Sequence, residues 1–143
     1  MRKTKLLFIA AAAIASTPAL AGPSDDMIIT ANIANACQID ASDVTVDMTN
    51  IRTGLSQTGN VNIWCTNGYA VQVTASSLNA FKLKSGANLI SYALTSGGAA
   101  FTNVPFTGNA SAAMSQIPYK LDFAAQNPAA GTYTDTVTFT IAP

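Results

Sequence analysis

The sequence predicts an all-β protein with an immunoglobulin-like β-sandwich fold. Apolar side chains recur at every second position in several segments, as they do in strands that bury one face. Helical periodicity is absent from the chain beyond its first 21 residues, and glycine- and asparagine-rich turn signals separate the segments at regular intervals. About seven such strands are expected, which is the number found in an immunoglobulin-like sandwich.

The first 21 residues have the features of a removable export signal. Three cations within residues 2–5 precede an uninterrupted apolar run over residues 6–15, and small residues at 19 and 21 suit a signal peptidase. This run is too short to cross a bilayer core, which needs about 20 helical residues. We therefore expect residues 1–21 to be removed and the rest of the chain to be exported as a soluble protein.

An N-terminal extension, residues 22–36, is expected to precede a single sandwich domain, residues 37–143. The first five residues of the extension are polar and flexible in composition. Residues 27–33 are predicted to form a strand, with one apolar face that consists of Met27, Ile29, Ala31 and Ile33.

The strands of the domain follow from alternation and turn chemistry. Residues 60–65 and 69–75 are predicted strands, and Asn67 and Gly68 between them are a typical two-residue hairpin signal. Further strands are expected at residues 81–84, 90–94, 115–124 and 134–141, whereas residues 99–114 are expected to be a loop with a short strand around residues 101–106. Pro118 cannot donate a ladder hydrogen bond, which favours a sheet edge or a bulge there.

Cys37 and Cys65 are the two cysteines of the chain. In an oxidising compartment such a pair usually forms a disulfide, and a loop of this length would stabilise the fold by roughly 3–4 kcal/mol. A redox pair or a thiolate metal site is disfavoured, because the CxxC spacing and other soft ligands are missing.

The composition argues against several kinds of catalytic, metal and nucleic-acid-binding site. Histidine and glutamate are absent, which rules out Ser-His-Asp catalysis and histidine-ligated metals. Asp40, Asp43 and Asp47 do not have the spacing of a calcium loop and are interpreted as solvated side chains. Beyond residue 21 the aspartates outnumber the cations, so nucleic acid is disfavoured as a partner. We therefore expect no enzymatic activity, no cofactor and no metal.

Trp64 faces away from the core if Cys65 faces into it. An outward tryptophan can stack on a sugar or become buried at a subunit contact. The simpler interpretation, which we expect, is that a neighbouring strand or loop of the same chain covers it.

Three stretches resemble a known family: GNVNIWC at residues 59–65, LISYAL at 89–94 and IPYKLDFAAQNPAAGTYTDTVTFTI at 117–141. They are similar to the pilins of the archaic chaperone–usher pathway, the Csu type, which share the spore coat protein U domain. The resemblance covers most of the chain after the leader, and its most specific part is residues 131–137.

The resemblance implies an incomplete immunoglobulin-like sandwich that a donor strand completes. Donor residues would be Met27, Ile29, Ala31 and Ile33, and the acceptor-groove edge would be Val137, Phe139 and Ile141. A periplasmic chaperone would fill the groove first, and an outer-membrane usher would then exchange it for the N-terminal strand of the next pilin subunit. The implied location is a pilus on the cell surface, with a role in adhesion and biofilm formation.

A different class of function remains open from the sequence. The chain is also compatible with a secreted monomeric β-sandwich that binds a carbohydrate or another surface ligand. In that case residues 27–33 would complete the protein's own sheet, and Trp64 would be the ligand platform. A ladder of oligomers under native conditions favours the pilin, whereas a clean monomer favours this alternative.

Overall fold

The structure, a computed structural model, describes residues 27–143. The expected export signal, residues 1–21, lies outside this range. The chain divides into two units, and the second, Ile33–Pro143, contains the regular secondary structure of the described residues. Within that range no helix has the length and apolar character needed to cross a bilayer.

Ten antiparallel strands and one short 3-10 helix, Ile51–Thr53, make up the regular structure of residues 27–143. The strands are β1 (Cys37–Ala41), β2 (Leu55–Cys65), β3 (Ala70–Ser77), β4 (Lys82–Ser85), β5 (Asn88–Ser91), β6 (Ala93–Ser96), β7 (Ala99–Ala100), β8 (Val104–Thr107), β9 (Ser115–Phe123) and β10 (Val137–Ala142). One sheet has the order β1-β2-β9-β6-β7 and a second the order β10-β3-β8, while β4 and β5 form a hairpin. The predicted all-β sandwich is confirmed.

The core lies between the two larger sheets, where the predicted alternation holds. Val61 and Ile63 of β2 and Val73 of β3 are fully buried, while the residues between them on each strand are more exposed. Fully burying such a side chain contributes about 1.5–3 kcal/mol, so this seam accounts for much of the folding free energy. A smaller cluster forms around Ile51, Ile90 and Phe123.

The turn at Asn67 and Gly68 forms, but the predicted hairpin is wrong. The backbone N–H of Tyr69 donates to the carbonyl of Thr66 at 2.9 Å, and Gly68 has a φ of 77°. However, β2 belongs to the five-stranded sheet and β3 to the three-stranded one. The turn therefore carries the chain between sheets, because turn residues fix the local backbone but not the strand that pairs across it.

Pro118 lies on the central strand β9, at a point where β9 is paired on one side only. β9 runs between β2 and β6, but β6 pairs only with residues 120–122. Pro118 lies beyond this pairing and opposite Asn60 of β2. Its carbonyl accepts a hydrogen bond from Ser96 Oγ at 2.7 Å. A proline is tolerated where a strand has such a local edge.

A disulfide joins Cys37 to Cys65, as the sequence predicts. Cys37 begins β1, Cys65 ends β2, and the two residues lie directly opposite each other in the antiparallel register. The bond therefore ties the edge strand β1 to its neighbour at the end where the N-terminal extension leaves the domain.

We predict that the exported protein contains no free thiol. Thiol labelling of the denatured, non-reduced chain should modify neither cysteine, and two labelled thiols per chain would contradict the pairing. Replacing Cys37 and Cys65 together by serine should lower the free energy of unfolding by roughly 3–4 kcal/mol, because the loop of the unfolded chain is no longer closed. Urea denaturation of the two proteins measures this difference.

Candidate functional site

The strand β10 has a hydrogen-bonded partner along one edge. Its residues 137–142 pair with residues 72–77 of β3, from Val137 opposite Ser77 to Ala142 opposite Gln72. Along its other edge no strand of the described residues is paired. The backbone N–H and C=O groups on that edge are available to another extended segment.

A groove of about 250 Å³ opens beside this edge. Its lining comes from the segment after β1, the inner face of the five-stranded sheet and the start of β10. The lining residues are Ala41, Ser42, Asp43, Val44, Val46, Leu83, Tyr92, Leu94, Tyr119, Leu121, Phe123, Asp135, Thr136, Val137 and Phe139. Apolar side chains therefore predominate in a groove that follows an unpaired strand edge.

Two of the three predicted edge residues line the groove. Val137 and Phe139 contribute to its wall, whereas Ile141 does not. Ile141 lies further along β10, opposite Val73, and packs against the main core cluster. All three side chains are half-buried, because β10 has a neighbouring strand on one side only.

Phe139, which lines the groove, packs in a cluster of aromatic rings. The ring centroid of Phe139 lies 5.2 Å from that of Phe101 and 6.3 Å from that of Tyr119, which belongs to the opposite sheet. Phe101 and Tyr119 are both buried. Contacts of this kind hold the two sheets at a fixed spacing while the edge of β10 stays open.

The carboxylate of Asp135 lies where the groove lining meets the start of β10. Asp135 accepts hydrogen bonds from Ser77 Oγ at 2.5 Å and Tyr92 Oη at 2.6 Å. The backbone N–H groups of Asn79 and Thr136 also donate to it, at 3.1 and 2.8 Å. This network fixes the start of β10 to the end of β3 and to the segment between β5 and β6.

The network sets the protonation states of its members. Burial tends to raise the pKa of Asp135, but the hydrogen bonds from Ser77, Tyr92 and the backbone outweigh it, and the pKa lies below its usual value. Burial, followed by the hydrogen bond to Asp135, raises the pKa of Tyr92. Asp135 is therefore an anion and Tyr92 a neutral donor at physiological pH.

The groove continues into a second cleft of about 670 Å³. Val44, Val46, Leu83 and Asp135 line both. The second cleft extends between residues 44–48 and residues 128–135. An extended segment lying along β10 would therefore find space beyond the first residue of that strand.

The predicted donor residues lie in a segment without regular secondary structure. Residues 27–36 contain no strand, and the side chains of Met27, Ile29 and Ile33 are 80–84% exposed. Several large apolar side chains exposed close together along a chain are unfavourable in water. Such a surface is usually one that another chain covers.

The structure covers Trp64 with a loop, as we expected. Its side chain is half-buried, and its indole Nε1–H donates to the carbonyl of Ser111 at 3.1 Å. The polar atom of this ring is therefore bonded within its own chain. Within residues 27–143 there is also no group of three or more potential metal ligands.

The family follows from a comparison with known domains. The model of the Spore Coat Protein U domain matches residues 24–140. The chain belongs to the Spore Coat Protein U domain family. The matched range of this family begins within the N-terminal extension and continues into β10, so it includes both the exposed apolar segment and the groove.

A solved structure supports the fold assignment for this family member. The chain resembles a chain in the crystal structure of the CsuC–CsuE chaperone–tip adhesion subunit pre-assembly complex from the archaic chaperone–usher Csu pili of Acinetobacter baumannii. The TM-score is 0.57 at 18% sequence identity, and the match covers 77% of this chain and 40% of the other. The chain thus spans less than half the length of that relative. No curated protein sequence matches the chain.

Sequence reasoning missed one wall of the groove and the residue at its end. Val44, Val46 and Met48 alternate along the chain and line the groove or its continuation. That period of two was visible, but the interspersed aspartates favoured a solvated segment. Asp135 lies within residues 131–137, the most specific part of the family resemblance, but no pattern in the sequence indicated its hydrogen-bond partners.

We predict that Asp135→Asn lowers the free energy of unfolding by about 1–2 kcal/mol near neutral pH, a modest value because the carboxylate is only half-buried. The folded-state pKa is depressed, so the stabilisation is present above the unfolded-state pKa of about 3.9 and is lost as the pH falls through the folded-state value. Urea denaturation at several pH values should show the two proteins converging in acid.

The control for this prediction is Asp40→Asn, at an exposed position of β1. It should change the free energy of unfolding little, because the Asp40 side chain is exposed and takes no part in the network. A difference between wild type and Asp135→Asn that stays constant down to strongly acidic pH would contradict an ionised Asp135 in the network.

Proposed function

We propose that this protein is a structural subunit of a bacterial surface fibre, assembled by donor-strand exchange. The observation that carries the proposal is the unpaired edge of β10 beside an apolar groove. An exposed strand edge next to apolar surface favours pairing with an added strand. Backbone hydrogen bonds then supply affinity, and a pocket for every second side chain supplies specificity.

Residues 27–33 of another copy fit the groove as the inserted strand. Their apolar side chains, Met27, Ile29, Ala31 and Ile33, recur at the period of two that strand insertion requires. Seven extended residues span roughly 23 Å at about 3.3 Å per residue, which is close to the length of the six-residue strand β10 and the residues just before it.

Residues 22–36 act in this proposal as the donor extension and residues 37–143 as the acceptor domain. The two ends of such a subunit differ, so each contact joins the donor of one copy to the acceptor of the next. Head-to-tail contacts of this kind do not close on themselves and generate filaments. A groove that accepts the N-terminal segment of another copy therefore accounts for polymer growth without further components in the fibre.

The proposal extends to assembly partners and location. The solved structure that the chain resembles is a pre-assembly complex of a chaperone and a tip adhesion subunit. By analogy, a periplasmic chaperone occupies the groove of this subunit before assembly, and an outer-membrane usher catalyses the exchange. The fibre is then displayed on the cell surface, where it supports adhesion and biofilm formation. No catalytic role is included.

No observation favours the monomeric ligand-binding alternative. That hypothesis needs residues 27–33 within the protein's own sheet, whereas the structure places none of them in a strand. It also needs an available Trp64, whose indole N–H is bonded to Ser111.

We predict that Ile33→Asp blocks fibre growth while the subunit still accumulates with its chaperone. The substitution would place an unpaired carboxylate in an apolar groove, which costs at least several kcal/mol. Chaperone capture uses the groove and should be retained. Electron microscopy of sheared fibres and immunoblots of periplasmic subunit measure the two effects.

Ile28→Asp is the matched control, because Ile28 is equally exposed but lies off the proposed inserted face. It should leave fibres largely intact. Normal fibres from Ile33→Asp would contradict the donor role, and loss of the periplasmic subunit itself would instead indicate that residue 33 belongs to the subunit's own core.

A further inference from the structure

Thr66 holds the base of the N-terminal extension through hydrogen bonds from its hydroxyl and its backbone. The hydroxyl of Thr66 accepts a hydrogen bond from the backbone N–H of Ala36 at 3.0 Å and donates to the carbonyl of Ala34 at 3.1 Å. The backbone N–H of Thr66 also donates to the carbonyl of Ala36 at 2.9 Å. We call this set of contacts among Ala34, Ala36 and Thr66 the base clamp.

The clamp lies beside a disulfide and a tightly packed turn. Thr66 directly follows Cys65, and Ala36 directly precedes Cys37, so the disulfide lies immediately beside the clamp. A Cβ at Gly108 would collide with the carbonyl oxygens of Cys65 and Thr66, so Gly108 permits a close backbone approach behind the turn. Its N–H and C=O bond to Tyr69 and Gly68, which holds the turn rigid.

The clamp leaves no spacer between the body and the donor segment. Ala34 is the last clamped residue, and Ile33, which is 84% exposed, directly precedes it. Neighbouring Cα atoms are about 3.8 Å apart, so an Ile33 buried in a groove brings the clamp within one residue of that groove. A flexible linker would instead allow the bodies to separate and turn freely.

We propose that Thr66 is a positioning residue that fixes the direction in which the donor segment leaves the subunit, so that successive subunits abut directly and the fibre resists bending. This inference rests on the proposed function, because it assumes that residues 27–33 enter a neighbouring groove. In this proposal the clamp determines the angle between neighbouring subunits. It does not determine how tightly the inserted strand binds.

The test compares fibres sheared from cells that express the full-length chain as wild type, Thr66→Val or Thr66→Ser. Thr66→Val keeps the shape but removes the hydroxyl, so fibres should form in normal amounts but bend more, with a persistence length lower by about twofold or more. Amide exchange of Ala36 in these fibres should accelerate on the order of tenfold. Thr66→Ser keeps the hydroxyl and should restore both values.

Two further variants separate the clamp from general stability. A Gly-Ser-Gly insertion between Ile33 and Ala34 leaves the body unchanged and should produce the same flexible fibres. Thr95→Val is the matched control, because the Thr95 hydroxyl donates only a long bond of 3.4 Å to the Lys120 carbonyl. It should leave fibre stiffness unchanged.

The outcomes distinguish the clamp from the proposed function. Wild-type stiffness in both Thr66→Val and the insertion variant would overturn the role of the clamp. If Thr66→Val fails to fold, the insertion variant alone decides, and unchanged bending there overturns the proposal. Absence of any fibre from the wild-type chain would instead overturn the proposed function.

Discussion

The unpaired edge of β10 is the constraint on which the rest of this structure depends. A strand with a neighbour on one side leaves backbone donors and acceptors without partners, and here the apolar inner face of the opposite sheet lies beside that edge. Such an edge beside apolar surface favours pairing with another extended segment. The segment at residues 27–33 has exposed apolar side chains at alternate positions and belongs to no strand. Its properties are therefore complementary to those of the groove. In the proposed assembly, one chain therefore supplies both the donor segment and the acceptor groove.

Rigidity is concentrated at the two places where such a contact would transmit force. At the groove, Asp135 gathers hydrogen bonds from Ser77, Tyr92 and the backbone, and fixes the start of β10 while its outer edge stays free. At the base of the extension, the Cys37–Cys65 disulfide and the hydroxyl of Thr66 lock adjoining residues of the first two strands. An open edge is compatible with a stable sandwich because the elements around it are held by covalent and charged interactions.

The sequence predicts the strands well and their arrangement less well. Alternation at Val61, Ile63 and Cys65 identifies a buried face because the period of two is a property of the strand itself. Asn67 and Gly68 predict a turn, yet whether the next strand pairs or crosses to the other sheet depends on contacts remote in sequence. Likewise, Val44 and Val46 show the right period, but their role as a groove wall depends on the distant β10. The network at Asp135 joins residues up to 58 positions apart, which no local pattern encodes.

A reconstruction of the fibre, at a resolution that traces the backbone between subunits, tests the central claim most directly. The account predicts that residues 27–33 of one subunit lie hydrogen-bonded along β10 of its neighbour, with Met27, Ile29, Ala31 and Ile33 directed into the groove. A fibre in which this edge of β10 is bare, or is filled by a segment of the same subunit, would contradict it.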